Sequence, residues 1–314
     1  VVVTDGSSKS LEHLNCSATN KRKNRVDAPV CVVVENYVPA KKKKEFKEID
    51  HYPFADSLVA LATETDAFDH YDWLLRADLD TFLTEGFATW SPPRMVVGRG
   101  SFCFPGYKTC ERLHKFAAKQ NLTDAGVDNI GSGWYGPTAI IRECARQASN
   151  LMVTLSKEEF SKKEKERSYY LQGIKGWPRW HYGVLSMYAG QLAINNCSGP
   201  GGFDKRADLL DFPSSSTEHP SKHPHLHTWQ DHHLFSKADF AAGKYDKMNL
   251  SSMEPLHSAR DYALWVAMVG NGKVGPRPLL HPPGSSALQP SRHPNMFGTL
   301  LDDLAAFFKG SPKL

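Results

Sequence analysis

Long apolar runs are missing from this 314-residue sequence. None approaches the roughly 20 residues that cross a bilayer as a helix, so the chain is expected to carry no transmembrane span. Internal repeats are missing too, which argues against a solenoid or a propeller. Strong charge of one sign is also lacking: the net charge is +4, and it comes largely from the runs at 21–25 and 41–44. Such local runs are ordinarily solvated loops, and no nucleic-acid partner is inferred from them. The chain opens on Val1-Val2-Val3, with neither a methionine nor a signal peptide, and is expected to start after processing or truncation.

Cysteine is sparse but even in number, at 16, 31, 103, 110, 144 and 197. An even set suits disulfides, and Cys103 with Cys110 can close a short loop, although free buried thiols fit the count as well. Asn15, Asn121, Asn196 and Asn249 each begin an Asn-x-Ser/Thr acceptor, two of them with cysteine in the middle. Both features point to the secretory pathway, in the Golgi lumen, or to an extracellular protein. A hydrophobic content of 40% and a charged content of 23% are those of a soluble globular chain. The length fits one large α/β domain, taken as residues 1–272. Residues 273–314 read as a proline- and glycine-rich linker and an amphipathic helix at 297–308. Its Leu300, Leu301, Leu304 and Phe308 would dock on the domain or on a protein partner.

Along the chain, residues 29–38 read as a strand covered on both faces, and 52–63 as a helix with Phe54, Leu58 and Leu61 on one side. Residues 72–75 read as a buried strand and 95–98 as a short strand leading into a glycine-bearing loop. Helices are expected at 111–121, at 138–152, after the aromatic lead-in 176–181 and at about 258–269. Residues 156–167 read as a solvated charged face, and 199–216 as a loop.

Chemistry concentrates in residues 71–84, YDWLLRADLDTFLT. If the strand ends near Leu75, Asp78 and Asp80 lie just past its carboxyl end and point to one side, at the rim where open α/β sheets bind ligands. Two carboxylates there form a hard-oxygen site for Mg²⁺ or Mn²⁺; the plainer reading is an acidic turn with solvated ends. Residues 219–233 hold six of the fourteen histidines. In an extended segment His223, His225 and His227 would share a side, with Lys237 following as a cation for a phosphate. A histidine-rich solvent loop fits the same letters. In NIGSGWYGP, residues 129–137, the glycines either let a backbone approach a sugar or form a turn beside two core aromatics.

In this order the sequence resembles the GT-A-fold glycosyltransferases, and more closely a family of uncharacterised algal and protist proteins allied to them. The resemblance rests on LLRADLDTFLT (74–84), VGRG (97–100), NIGSGWYGP (129–137), GWPRWHYGVLSMYAGQLAIN (176–195), and HLHTW with LFSK and GKYD (225–246). It departs from the family at Glu85, where proline is usual, and at Gly133, where threonine is usual. The resemblance implies a GT-A-like (Rossmann-like) mixed α/β sheet flanked by helices, whose base-gripping first strand would precede Val1. It also implies a nucleotide-sugar donor held through Mn²⁺ or Mg²⁺, and a glycan or glycoprotein acceptor. Asp80 would then be the direct metal ligand, Asp78 a metal or ribose partner, and His227 or His225 the remaining protein ligand. Lys237 would meet the phosphates and Arg76 would orient Asp78. Asn129, Gly131 and Trp134 would line a sugar, and Asp128 or Asp231 would supply the base of an inverting transfer. The competing expectations are a non-catalytic module of the same fold in an extracellular assembly, and a histidine-rich zinc binder.

Overall fold

The computed structural model describes residues 2–3, 17–18, 32–34, 37–64, 68–104, 106–168, 180–228, 235–248 and 257–270. The expected linker and docking helix beyond residue 272, Cys16, Cys31 and Asp231 lie outside them. The described residues fall into two compact units, one from residues 2–3, 34–77 and 91–211, the other from residues 17–18, 32–33, 78–90 and from 212 onward. The fold is mixed α/β, with mixed sheets flanked by helices.

In the first unit four strands lie in the order Trp73–Arg76, Ile130–Pro137, Met95–Arg99, Phe203–Lys205. The first two contacts are antiparallel and the last is parallel. Trp73–Arg76 is therefore an edge strand and is half-buried throughout, not the buried strand expected at 72–75. Helix Thr138–Glu159 is longer than the expected 138–152, because Met152 and Leu155 continue the stripe begun by Ile141, Ala145 and Ala148. A second, shorter helix, Lys162–Ser168, follows it. Its start is marked by a capping box in which Ser161 and Glu164 exchange hydrogen bonds with each other's backbone N–H. Helix Leu185–Cys197 is buried nearly all round, and Gly190 sits against the Trp134 ring where a Cβ would come within 2.8 Å of it. The helix at 52–63 is shortened to Asp56–Thr63: Leu58 and Leu61 are buried, but Phe54 precedes the helix in a turn and is 56% exposed. Disulfides join Cys103 to Cys110 and Cys144 to Cys197.

The residues 129–137 are not a turn. Ile130–Pro137 is the strand paired on both sides, and its glycines serve a neighbour in the chain. The carboxylate of Asp211, 1% exposed, lies against them: a Cβ at Gly98 or Gly131 would overlap its Oδ2, and one at Gly133 would come within 2.9 Å of Oδ1. The Gly133 N–H donates to this carboxylate at 2.8 Å. A Cβ at 133 would therefore crowd this carboxylate.

The second unit has a three-stranded sheet in the order Thr81–Leu83, His225–His227, Phe212–Pro213. Pieces of strand thus occupy the stretch 199–216 that reads as a loop. Phe82 and Leu226 turn inward onto Phe235, Tyr245 and the helix Ala259–Gly270, which presents Tyr262, Trp265, Val266 and Val269. The Tyr262 hydroxyl donates to the Leu83 carbonyl at 2.8 Å, tying that helix to the sheet. Of the strand expected at 29–38, Val32–Val34 is formed, and Val32 and Val33 pair in parallel with Ser17 and Ala18.

Candidate metal centre

Asp78, Leu79 and Asp80 form the turn that leads into Thr81–Leu83, and the Thr81 hydroxyl donates to the Asp78 carbonyl across it at 2.7 Å. The antiparallel register sets His227 opposite Thr81, and the Thr228 N–H donates to the Asp80 carbonyl at 3.0 Å. Backbone pairing therefore carries the imidazole to the acid: His227 Nε2 lies 3.4 Å from Asp80 Oδ1. The parallel partner Phe212–Pro213 secures the other side, with the Ser214 N–H donating to the His227 carbonyl at 3.0 Å. Lys237, which opens helix Lys237–Ala241, places its ammonium on Asp80 Oδ2.

Asp78, Asp80 and His227 each offer one ligand atom, and the three atoms lie within 4.8 Å of one another. Two carboxylates suit Mg²⁺ or Mn²⁺, and an imidazole beside them tips that pair toward Mn²⁺. The side chains of Asp80 and His227 are 19% and 17% exposed, so the donors are largely withdrawn from water yet reachable. Burial pushes the Asp80 carboxyl up, but the hydrogen bond and charge of His227 and the Lys237 ammonium outweigh it and hold the group well below the usual carboxylate range. Asp80 is thus an anion already matched to a cation, and the donor set fits a divalent ion. Leu79, between the two acids, is 54% exposed.

His223 and His225 go elsewhere. The strand covers only His225–His227; His225 is fully buried, and it is not among the three clustered residues. His223 ends a turn of 3₁₀ helix and stacks on Phe212 with ring centroids 3.4 Å apart, its Nε2 3.2 Å from Glu218 Oε2. Its carbonyl accepts the Thr84 hydroxyl at 2.8 Å.

The remaining candidates belong to the first unit. The Arg76 guanidinium donates to the Ser132 carbonyl at 2.5 Å and lies over the Trp134 ring, 5.2 Å from its centroid. Trp134 is buried, its indole N–H on the Gly131 carbonyl at 2.9 Å. Asn129, at φ 53°, brackets the 100–103 loop: its Oδ1 accepts the N–H groups of Phe102 and Cys103 at 3.0 and 2.7 Å, and its Nδ2 donates to the Cys103 carbonyl at 3.0 Å. Asp128 Oδ1 lies 3.1 Å from His114 Nε2 and accepts from Gln191 Nε2 at 3.0 Å. Asp211 was not anticipated; the signal for it was the glycine spacing in NIGSGWYGP, which announces a close approach without saying by what.

No curated protein and no solved structure matches the chain. The family model described as Domain of unknown function (DUF7164) matches residues 1–271, most of the sequence, and the chain belongs to that family.

Proposed function

We propose that the protein is a metal-dependent glycosyltransferase of GT-A-like fold, moving a sugar from a nucleotide-sugar donor to a glycan or protein acceptor in the secretory lumen or outside the cell. The observation that carries this reading is the convergence of Asp78, Asp80 and His227, whose ligand atoms lie within 4.8 Å of one another, with a lysine on the same carboxylate. Asp80 and His227 would hold Mn²⁺ or Mg²⁺, with Asp78 as the second acid. A bound divalent ion supplies Lewis-acid neutralisation of the diphosphate that leaves the sugar. Lys237 adds a mobile ammonium on a flexible stem, suited to turn from Asp80 to a phosphate oxygen as charge builds there. The two disulfides are compatible with a lumenal or secreted location.

One observation favours a second reading. Asp80 has His227 at one oxygen and Lys237 at the other, an arrangement that can serve as a permanent ion-pair staple in a non-catalytic module. Calorimetry with Mn²⁺ and a panel of nucleoside diphosphates separates the two. A transferase gives Mn²⁺-dependent nucleotide binding that is lost in Asp80→Ala, whereas a staple gives no Mn²⁺ binding at all. Zinc binding that survives Asp80→Ala would move the function to the histidine segment.

A further inference from the structure

Two acceptor sequences for N-linked glycans meet in the first unit, and the fold treats them differently. Asn121-Leu122-Thr123 follows helix Thr109–Lys119. The Asn121 and Leu122 N–H groups donate to the carbonyls of Ala118 and Ala117, at 3.2 and 2.9 Å, and Asn121 takes φ 52°. This is the left-handed residue that ends many helices, and asparagine is among the few side chains that adopt it readily. Asn121 and Thr123 are both exposed. Asn196-Cys197-Ser198 closes helix Leu185–Cys197 and is engaged throughout. Asn196 Nδ2 donates to Gln147 Oε1 at 2.7 Å, its Oδ1 accepts the Thr123 N–H at 2.8 Å, and Cys197 is joined to Cys144. The amide of one acceptor thus braces the backbone of the other.

We propose that Asn121 is an N-glycosylation site of the folded protein and that Asn196 stays unmodified. The co-substrate is an oligosaccharide linked to a lipid diphosphate. Asn121 Nδ2 bonds to the anomeric carbon, the bond from that carbon to the diphosphate oxygen breaks with its electron pair, and one amide proton is released. An acceptor of this kind needs a surface position, which Asn121 has. A sugar on Asn196 Nδ2 would stand where Gln147 is. The proposal rests on the lumenal setting that the disulfides fit, and is independent of the cation site.

The test is to secrete the full chain from a eukaryotic cell behind a secretory leader. The glycans are then removed enzymatically in ¹⁸O water, and the two acceptor peptides are weighed. Isotope-tagged deamidation is expected at Asn121 and not at Asn196. Thr123→Ala should abolish the tag and one glycan's mobility shift while keeping the Asn121 turn, and Thr123→Ser should restore both. Asn121→Gln gives the same loss by a different substitution, guarding against a folding defect in either variant. An unmodified Asn121 in disulfide-bonded secreted protein overturns the proposal. So does a modified Asn196 in protein whose Cys144–Cys197 bond is intact.

Discussion

Two aspartates, one in each compact unit, are withdrawn from water, and different kinds of group lie against them. Asp211 lies in a space cleared by glycines and accepts a backbone N–H from Gly133. Asp80 faces two basic side chains, the His227 imidazole and the Lys237 ammonium. A backbone donor is fixed when the strand forms and cannot be traded. A side-chain cation on a flexible stem can be exchanged for an ion or for a ligand. The partner, more than the burial, therefore separates a carboxylate of the framework from one available for binding.

The framework side should break hardest. Replacing Cys144 and Cys197 together by alanine opens a loop with a sequence separation of 53 residues, and loop-closure entropy puts the loss at about 4 kcal/mol. The unfolding free energy extrapolated to zero urea reads this, with a steeper slope because the opened unfolded chain exposes more surface. Gly131→Ala comes next. Its Cβ would overlap the Asp211 carboxylate and come within 2.8 Å of the Arg99 carbonyl carbon, so neither a side-chain rotation nor a small shift relieves it. Overpacking of this kind costs about 3 kcal/mol, and a variant as stable as the parent would disprove the cradle.

On the exchangeable side, Asp80→Asn is expected to weaken Mn²⁺ binding by more than about 100-fold, beyond the roughly 10–100-fold that follows loss of a mere supporting residue. Asp211→Asn sharpens the contrast: it should cost about 1.5–3 kcal/mol of stability, the value of a hydrogen bond to a charged group, and leave Mn²⁺ affinity unchanged. Equal loss of Mn²⁺ affinity in both variants, measured by calorimetry on folded protein, would erase the distinction.

What the sequence made legible follows from how local each signal is. The helices at 111–121 and 258–269 repeat apolar residues at helical spacing, and the structure forms Thr109–Lys119 and Ala259–Gly270 with those residues inside. Asp78 and Asp80 were legible as a pair because two residues of chain separate them. That they meet His227, far along the chain, depends on an antiparallel register between two three-residue strands, too short to leave a period. The same shortness hid Phe203–Lys205 and Phe212–Pro213. NIGSGWYGP stayed open for a different reason. Glycine marks both turns and close approaches, and only the position of Asp211 decides between them.

The smallest effect concerns a third arrangement of carboxylates, intermediate between the first two. His114 on helix Thr109–Lys119 has Asp124 Oδ2 2.5 Å from Nδ1 and Asp128 Oδ1 3.1 Å from Nε2. Its pKa is raised, first by the hydrogen bond to Asp124; burial opposes this, and the charges of Asp128 and Asp124 add to the rise. A raised folded pKa means that the stabilisation is fully present below the ordinary value of about 6.5 and is lost as pH climbs through the folded value. Because the imidazole is 38% exposed, solvent screens the pair and the contribution is small. The difference in urea midpoint between the parent and His114→Gln should therefore be modest at pH 5.5 and shrink toward zero above the folded pKa. An NMR titration of the ring should give a midpoint above about 6.5. Asp124→Asn should lower that midpoint more than Asp128→Asn does. A midpoint below the ordinary value would show that burial outweighs both carboxylates, and that His114 behaves as a buried neutral ring.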